Sequence, residues 1–142
     1  MLNELITADK LSLVISQAAA PAFLLGAIAS FLSVLVSHMS RIADRLHAMN
    51  AMADDAQKAQ SHALWSSLHF RAILVHRAIY WAVGSGISTC LLMIVAFASA
   101  YFGARHEPAA ALLFTLALGL FTASLISFAR EVRMALNERN PS

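Results

Sequence analysis

Three long stretches of this chain carry no charged residue, and they restrict its fold more than any other feature. Asp, Glu, Lys and Arg are absent between Lys10 and Arg41, between Arg77 and Arg105, and between Glu107 and Arg130. A helix that crosses ~30 Å of hydrocarbon needs ~20 predominantly apolar residues, and each of these stretches is longer than that. Each stretch therefore predicts one membrane-spanning helix.

The composition favours a membrane protein over a soluble domain. Of the 142 residues, 59% are hydrophobic and 13% are charged, whereas soluble domains are ~45–50% apolar and ~25% charged. We predict an all-α integral membrane protein whose residues 1–142 form a single membrane domain. Its three transmembrane helices are predicted at about residues 11–37, 78–102 and 109–129.

The connection between the first two spans, about residues 38–77, is predicted to be a helical hairpin that extends both spans beyond the membrane. It contains no Gly and no Pro, and its many Ala, Leu and Met residues favour helix. A break is predicted near Asn50 to Asp55, because Asp54 stands three residues before Gln57 in the manner of a helix cap. Gly103 is predicted to end the second helix.

The basic residues predict how the chain is oriented. Eight of the ten Lys and Arg lie between spans one and two or after span three. The positive-inside rule places those regions, including the hairpin and the C-terminus, in the cytoplasm and the N-terminus outside it. Glu4 and Asp9 precede the first apolar stretch together with one basic residue, Lys10. This disfavours a cleaved signal peptide, so we expect an uncleaved first span.

The residue inventory argues against catalysis. Cys90 is the single cysteine, and glycine-rich phosphate loops, a His-Glu-x-x-His pair and a Gly-x-Ser-x-Gly motif are absent. His62, His69 and His76 repeat every seven residues, so neighbours lie ~10 Å apart along one helix, too far to share a metal within one chain. In an oligomer each would form a ring able to bind metal or sense protons; the alternative is an ordinary amphipathic face. We expect no enzyme activity, no cofactor, no metal and no nucleic-acid partner.

Small and polar residues recur every three or four positions along the first span, which places them on one helical face. We call this set, with Gln17 beside it, the polar stripe: Ser12, Ser16, Gln17, Ala19, Ala22, Gly26, Ser30, Ser33 and Ser37. One interpretation is a seam where helices pack closely in lipid. The other is the lining of a polar pathway, which requires several copies because three helices are too thin to enclose a pore.

Pro21 lies within the first span, where it removes a backbone hydrogen bond and predicts a kink. The carbonyl of Gln17 then needs another partner in the dry bilayer. A structural kink is one interpretation, and a constriction or binding point at Gln17 is the other.

Charged residues gather at the predicted inner membrane boundary, just beyond the ends of all three spans. They are Arg41, Asp44, Arg45, Arg71, Arg77, Arg130, Glu131 and Arg133. One interpretation is anchoring, in which Asp44 and Glu131 each pair with an arginine of another helix. The other is a ring that attracts anionic lipid headgroups or permeant anions, or an Asp44 ring that concentrates cations.

Four segments resemble a bacterial family of short membrane proteins known as domain of unknown function 2721. They are the runs 20–25 (APAFLL), 41–45 (RIADR), 71–79 (RAILVHRAI) and 128–132 (FAREV). The resemblance covers nearly the whole chain and implies a three-span protein of the bacterial inner membrane. It implies no activity and no functional residues.

These observations favour a homo-oligomeric ion channel or pore whose first helix faces the axis. The alternative is an accessory subunit whose first helix docks onto a larger membrane protein complex. An intramembrane enzyme is a third hypothesis, but the charged clusters contain nothing like a nucleophile–base pair.

Overall fold

The computed structural model describes residues 1–51, 58–103 and 107–140. They form three α-helices, α1 (Leu2–Ala51), α2 (Lys58–Phe102) and α3 (Glu107–Arg139), and these described residues contain no strand. All three helices are long and apolar enough to cross a membrane. The chain is thus a multi-pass membrane protein with three transmembrane helices, as its charge-free stretches predicted.

All three helices are longer than the membrane requires. They contain 50, 45 and 33 residues, which correspond to ~75, ~68 and ~50 Å at a rise of ~1.5 Å per residue. α1 and α2 remain helical through residues 38–51 and 58–77, the two arms of the predicted hairpin. The predicted cap at Asp54, and the part of the predicted break that follows Ala51, lie outside the described residues.

α3 also continues past residue 129, where the third membrane span was predicted to end, up to Arg139. Residues 130–139 contain no Gly or Pro and are rich in Arg, Glu, Met and Leu, all good helix formers. This extension, which the span boundaries did not indicate, carries part of the site described below.

Gly103 ends α2 as the sequence predicted. It follows Phe102 directly and has a φ of 65°, in the left-handed region that glycine adopts without strain at helix ends. Pro108 is the second residue of α3, where the missing N–H costs no helical hydrogen bond.

The bundle is organised around α2, which packs along both α1 and α3, whereas α1 and α3 approach each other closely at few points. The buried residues of α1 recur every seven positions, a spacing typical of helices that cross at a small angle. They are Pro21, Ile28, Leu35 and Ile42. Leu35 and Ile42 join Leu68, Val75, Ala78 and Ala82 of α2 in the apolar core.

Small and hydroxyl-bearing residues form the interface of α2 with α3. Ser85 Oγ donates a 2.7 Å hydrogen bond to the carbonyl of Ala117, and Ser124 Oγ donates a 2.6 Å bond to the carbonyl of Ala78. All four residues are fully buried. In lipid, small side chains allow helices to approach and hydroxyls bond across them. The small-residue seam inside this chain therefore lies between α2 and α3, and the polar stripe of α1 takes no part in it.

Candidate functional site

A buried carboxylate marks the basic end of the bundle, the end at which α1 and α3 finish and α2 begins. Glu131 of α3 is completely buried, and Arg71 of α2 is 7% exposed. Arg71 Nε donates a hydrogen bond of 2.9 Å to Glu131 Oε1. A buried charge is costly unless it is paired. We therefore take this buried ion pair as the starting point for describing the site.

The local sequence explains why two charged side chains point inward. Glu131 continues a buried line on α3 that contains Ala117 and Ser124, each seven residues from the next. Arg71 stands between Leu68 and Val75 in the α2 line that faces the core. Such seven-residue spacing keeps side chains on the packed face. Both charges therefore occupy positions at which the helical pattern would otherwise place apolar residues.

His38 of α1 completes a three-helix contact with this pair. Its Nε2 lies 2.8 Å from Glu131 Oε2, and its ring packs edge-on against Phe128 at 5.6 Å between centroids. The two atoms are at ion-pair distance, and neither has a hydrogen-bond partner among the described residues. The contact becomes an ion pair when the imidazole carries both protons.

A second carboxylate extends the network. Arg71 Nη1 donates a hydrogen bond of 3.4 Å to Glu138 Oε2, and Ser67 Oγ donates to Glu138 Oε1. Glu138 lies seven residues after Glu131 on α3, and Ser67 four residues before Arg71 on α2. One arginine thus bridges two carboxylates of the neighbouring helix.

A cavity of about 420 Å³ lies beside this network, where α1 and α3 stand apart on the surface of α2. Its lining is rich in arginine and also includes apolar residues. The polar and charged lining residues are His38, Arg41, Arg45, Arg71, Glu138 and Arg139. Ile42, Leu64, Val132 and Leu136 are among the apolar ones. The arrangement suits a ligand that has an anionic group and an apolar part.

Comparison with known proteins identifies the family. The profile of the proteins of unknown function DUF2721 matches residues 18–140. The chain belongs to this family. Neither the curated proteins nor the solved structures provide a significant match. The family resemblance predicted from the sequence is confirmed. DUF2721 membership assigns no activity.

In this DUF2721 protein the predicted boundary charges separate into three groups. Arg71 and Glu131 are buried together, and Arg41 and Arg45 line the cavity from exposed positions. The remaining members are exposed and line none of the cavities described: Asp44, Arg77, Arg130 and Arg133. The anchoring interpretation gave each of the two acids an arginine partner on another helix. Glu131 has one, whereas no ion pair joins Asp44 to another described residue.

The polar stripe lies on the surface of the three-helix bundle. All of its residues are exposed: Ser12, Ser16, Gln17, Ala19, Ala22, Gly26, Ser30, Ser33 and Ser37. At ~100° per residue, all of these except Gln17 fall on the side of α1 opposite its buried line. Ser30 Oγ donates to the Gly26 carbonyl of its own helix at 3.0 Å. Pro21 is buried and α1 is helical on both sides of it, so the kink stays a prediction.

Sequence reasoning missed four residues of the site, namely His38, Ser67, Glu138 and Arg139. The available signal was spacing: each lies three, four, seven or eight residues from a charge that was singled out, and so on a shared helical face. The histidine series lies apart from this site. His62, His69 and His76 are exposed, and His69 stacks on Trp65 with ring centroids 5.1 Å apart.

Proposed function

We propose that this protein is a homo-oligomeric ion channel of the bacterial inner membrane, with the polar stripe of α1 facing the axis. In this proposal the N-terminus lies outside, and the hairpin of residues 38–77 and the C-terminus lie in the cytoplasm. The observation that carries it is the exposure of the stripe on the side of α1 that does not pack on α2.

The chemistry of that face supports self-assembly. Serine, alanine and glycine offer lipid little contact area, while they allow another helix to approach closely. A Cβ placed on Gly26 would meet no heavy atom within 4 Å, so the protomer itself does not require a glycine there. Close approach of a helix from another copy would require a residue as small as glycine at this position.

The apolar packing inside each copy supports an ion pathway between copies and argues against a pathway through a single copy. Its central space is occupied by Leu35, Val75, Ala78 and Ala82, all completely buried. Serine hydroxyls on the stripe would supply the polar lining that an ion needs where it loses water. Asp44 and Arg41 continue the same face beyond the span, so each would form a ring of charge at one mouth.

Mass measurement in mild detergent, followed by ion flux in liposomes, tests the proposal. We expect a closed ring of identical chains that conducts ions, with Asp44→Asn preserving the ring and lowering cation flux because local cation enrichment is lost. Arg133→Gln, an exposed charge outside the stripe, should change neither property. The channel proposal would be contradicted by a closed ring that conducts no ions, or by a protein that is monomeric in mild detergent.

An accessory subunit is the second candidate, favoured by the same exposed face if a larger partner covers it. In that case the purified chain is monomeric, and extraction in mild detergent gives a defined complex with another membrane protein. The mass measurement therefore separates the two proposals.

A further inference from the structure

The cavity at the basic end has a surplus of positive charge. Arg41, Arg45, Arg71 and Arg139 contribute four positive charges, and Glu138 on the lining and Glu131 beneath it contribute two negative charges. Four minus two leaves a net charge of +2 with His38 neutral. No ion pair joins the three outer arginines to another residue in the described parts of the chain.

The floor of the cavity is a guanidinium that two carboxylates hold in place. The Arg71 side chain is 8% exposed and is held through Nε by Glu131 and through Nη1 by Glu138. Its Nη2 donates to no described residue, so three of its five N–H donors, two on Nη2 and one on Nη1, remain for a ligand. A guanidinium fixed in this way is preorganised to bind the oxygens of a phosphate group.

We propose that this cavity binds the phosphate group of an anionic phospholipid. Its volume of about 420 Å³ lies in the ~300–1,000 Å³ range of small-molecule sites and leaves room for a headgroup beyond the phosphate. Its walls include Ile42, Leu64 and Leu136, which suit glycerol and the first acyl carbons. Basic pockets between transmembrane helices are a known setting for acidic headgroups.

The position of the cavity favours a lipid over a soluble phosphate. The charge-free part of α1 ends just before Arg41, so the cavity begins where hydrocarbon gives way to headgroups. His38, at 26% side-chain exposure, lies on the hydrocarbon side of that boundary. The proposal does not depend on the oligomer or on ion conduction.

Native mass spectrometry of the delipidated full-length protein tests the proposal with three probes: phosphatidylglycerol, phosphatidylcholine and inorganic phosphate. The test variant removes two outer arginines of the cavity, Arg41→Gln with Arg139→Gln. The matched control removes two exposed arginines that line no described cavity, Arg77→Gln with Arg133→Gln. Both variants lose the same charge, so they differ in position alone.

We expect wild-type protein to bind phosphatidylglycerol at least about tenfold more tightly than phosphatidylcholine. Both lipids carry an anionic phosphate, but the quaternary ammonium of choline cancels that charge and is repelled by the surplus positive charge of the cavity. The cavity variant should lose most of this preference and the control should keep it. Equal loss in both variants would overturn the site, since it would indicate general attraction to a basic surface. Equal binding of the two lipids by wild-type protein would overturn it too.

The third probe distinguishes the sources of phosphate. Competition of inorganic phosphate with phosphatidylglycerol in the wild-type protein supports a phosphate-binding cavity, whereas binding of phosphate without binding of the lipid overturns the lipid assignment. If the double variant does not fold, as judged by thermal unfolding, Arg41→Gln is compared with Arg77→Gln under the same criteria.

Discussion

Arg71 of α2 and Glu131 of α3 form an ion pair inside the helix bundle, with Nε and Oε1 2.9 Å apart and the carboxylate completely buried. Both stand at positions where the seven-residue pattern of their helices calls for apolar side chains. A buried pair adds little to net stability when compared with a well-packed apolar pair, yet breaking it is costly. The pair therefore contributes mainly to the register of α2 against α3, because the two helices must align so that the two charges meet.

Glu131→Gln should destabilise the protein strongly. The substitution leaves Arg71 in a buried site with Glu138 as its remaining anionic partner, and breaking a buried pair costs ~3–5 kcal/mol. Asp44→Asn, which alters an exposed acid, should change stability by ~0.5 kcal/mol or less. Thermal unfolding in detergent measures both. Similar losses in the two variants would contradict a bracing role for Glu131.

The double variant Arg71→Met with Glu131→Leu should be far more stable than either single variant. Removing both charges leaves no buried ion without its partner, and Glu138, which loses Arg71, is exposed and keeps its hydrogen bond from Ser67. Apolar replacements of similar volume in buried ion pairs are often neutral or stabilising. A double-mutant cycle on unfolding free energies measures the coupling, which we expect to be ~2–3 kcal/mol. Additive losses would show that the two side chains do not act as a pair.

Gly26→Leu should disrupt the oligomer without unfolding the protomer. A Cβ placed there meets no heavy atom within 4 Å, so we expect the larger side chain to clash with another molecule packed on the polar stripe. Gly119→Leu is the matched control, because Gly119 of α3 is exposed and equally open, and both variants gain the same ~0.8–1 kcal/mol of helix propensity. Size-exclusion chromatography in mild detergent should show smaller particles for Gly26→Leu alone. If both variants elute at the same volume, the proposal that the polar stripe is an interface between copies is contradicted.

Cysteine labelling tests the orientation. Cys90 is exposed on the bundle surface, so it is first replaced by alanine to remove background. Cysteines introduced at Gln57 and Ser142 should resist a membrane-impermeant thiol reagent in intact cells, and a cysteine at Asn3 should react, because basic regions stay in the cytoplasm. Labelling of Gln57 from outside would reverse the topology.

The sequence predicted the helices well because their signals are local. An uncharged stretch longer than ~20 residues has one stable solution in a bilayer, since each backbone N–H and C=O must bond within the segment. Gly103 ends α2 for an equally local reason, a left-handed φ that few other residues adopt without strain. The continuation of α3 past residue 129 was missed because hydropathy marks where a helix leaves the lipid and not where it ends.

The site was predicted in part. The sequence singled out Arg71 and Glu131 as charges at one depth, yet it gave equal weight to Asp44, which is exposed. Nothing local separates the two acids, because both lie on helices near arginines. Glu131 differs in standing seven residues after Ser124, a relationship that gains meaning once Ser124 is known to face α2.

By itself, then, the sequence determined three membrane helices, their approximate extent and their family, since these depend on hydrophobicity and backbone bonding along one segment at a time. The tertiary structure decided which face of each helix is covered. It placed the small-residue seam between α2 and α3, turned the polar stripe of α1 outward, and brought His38 to Glu131. Those outcomes depend on how three helices rotate about their axes relative to one another, and in lipid that rotation is set by shape and by polar contacts between helices.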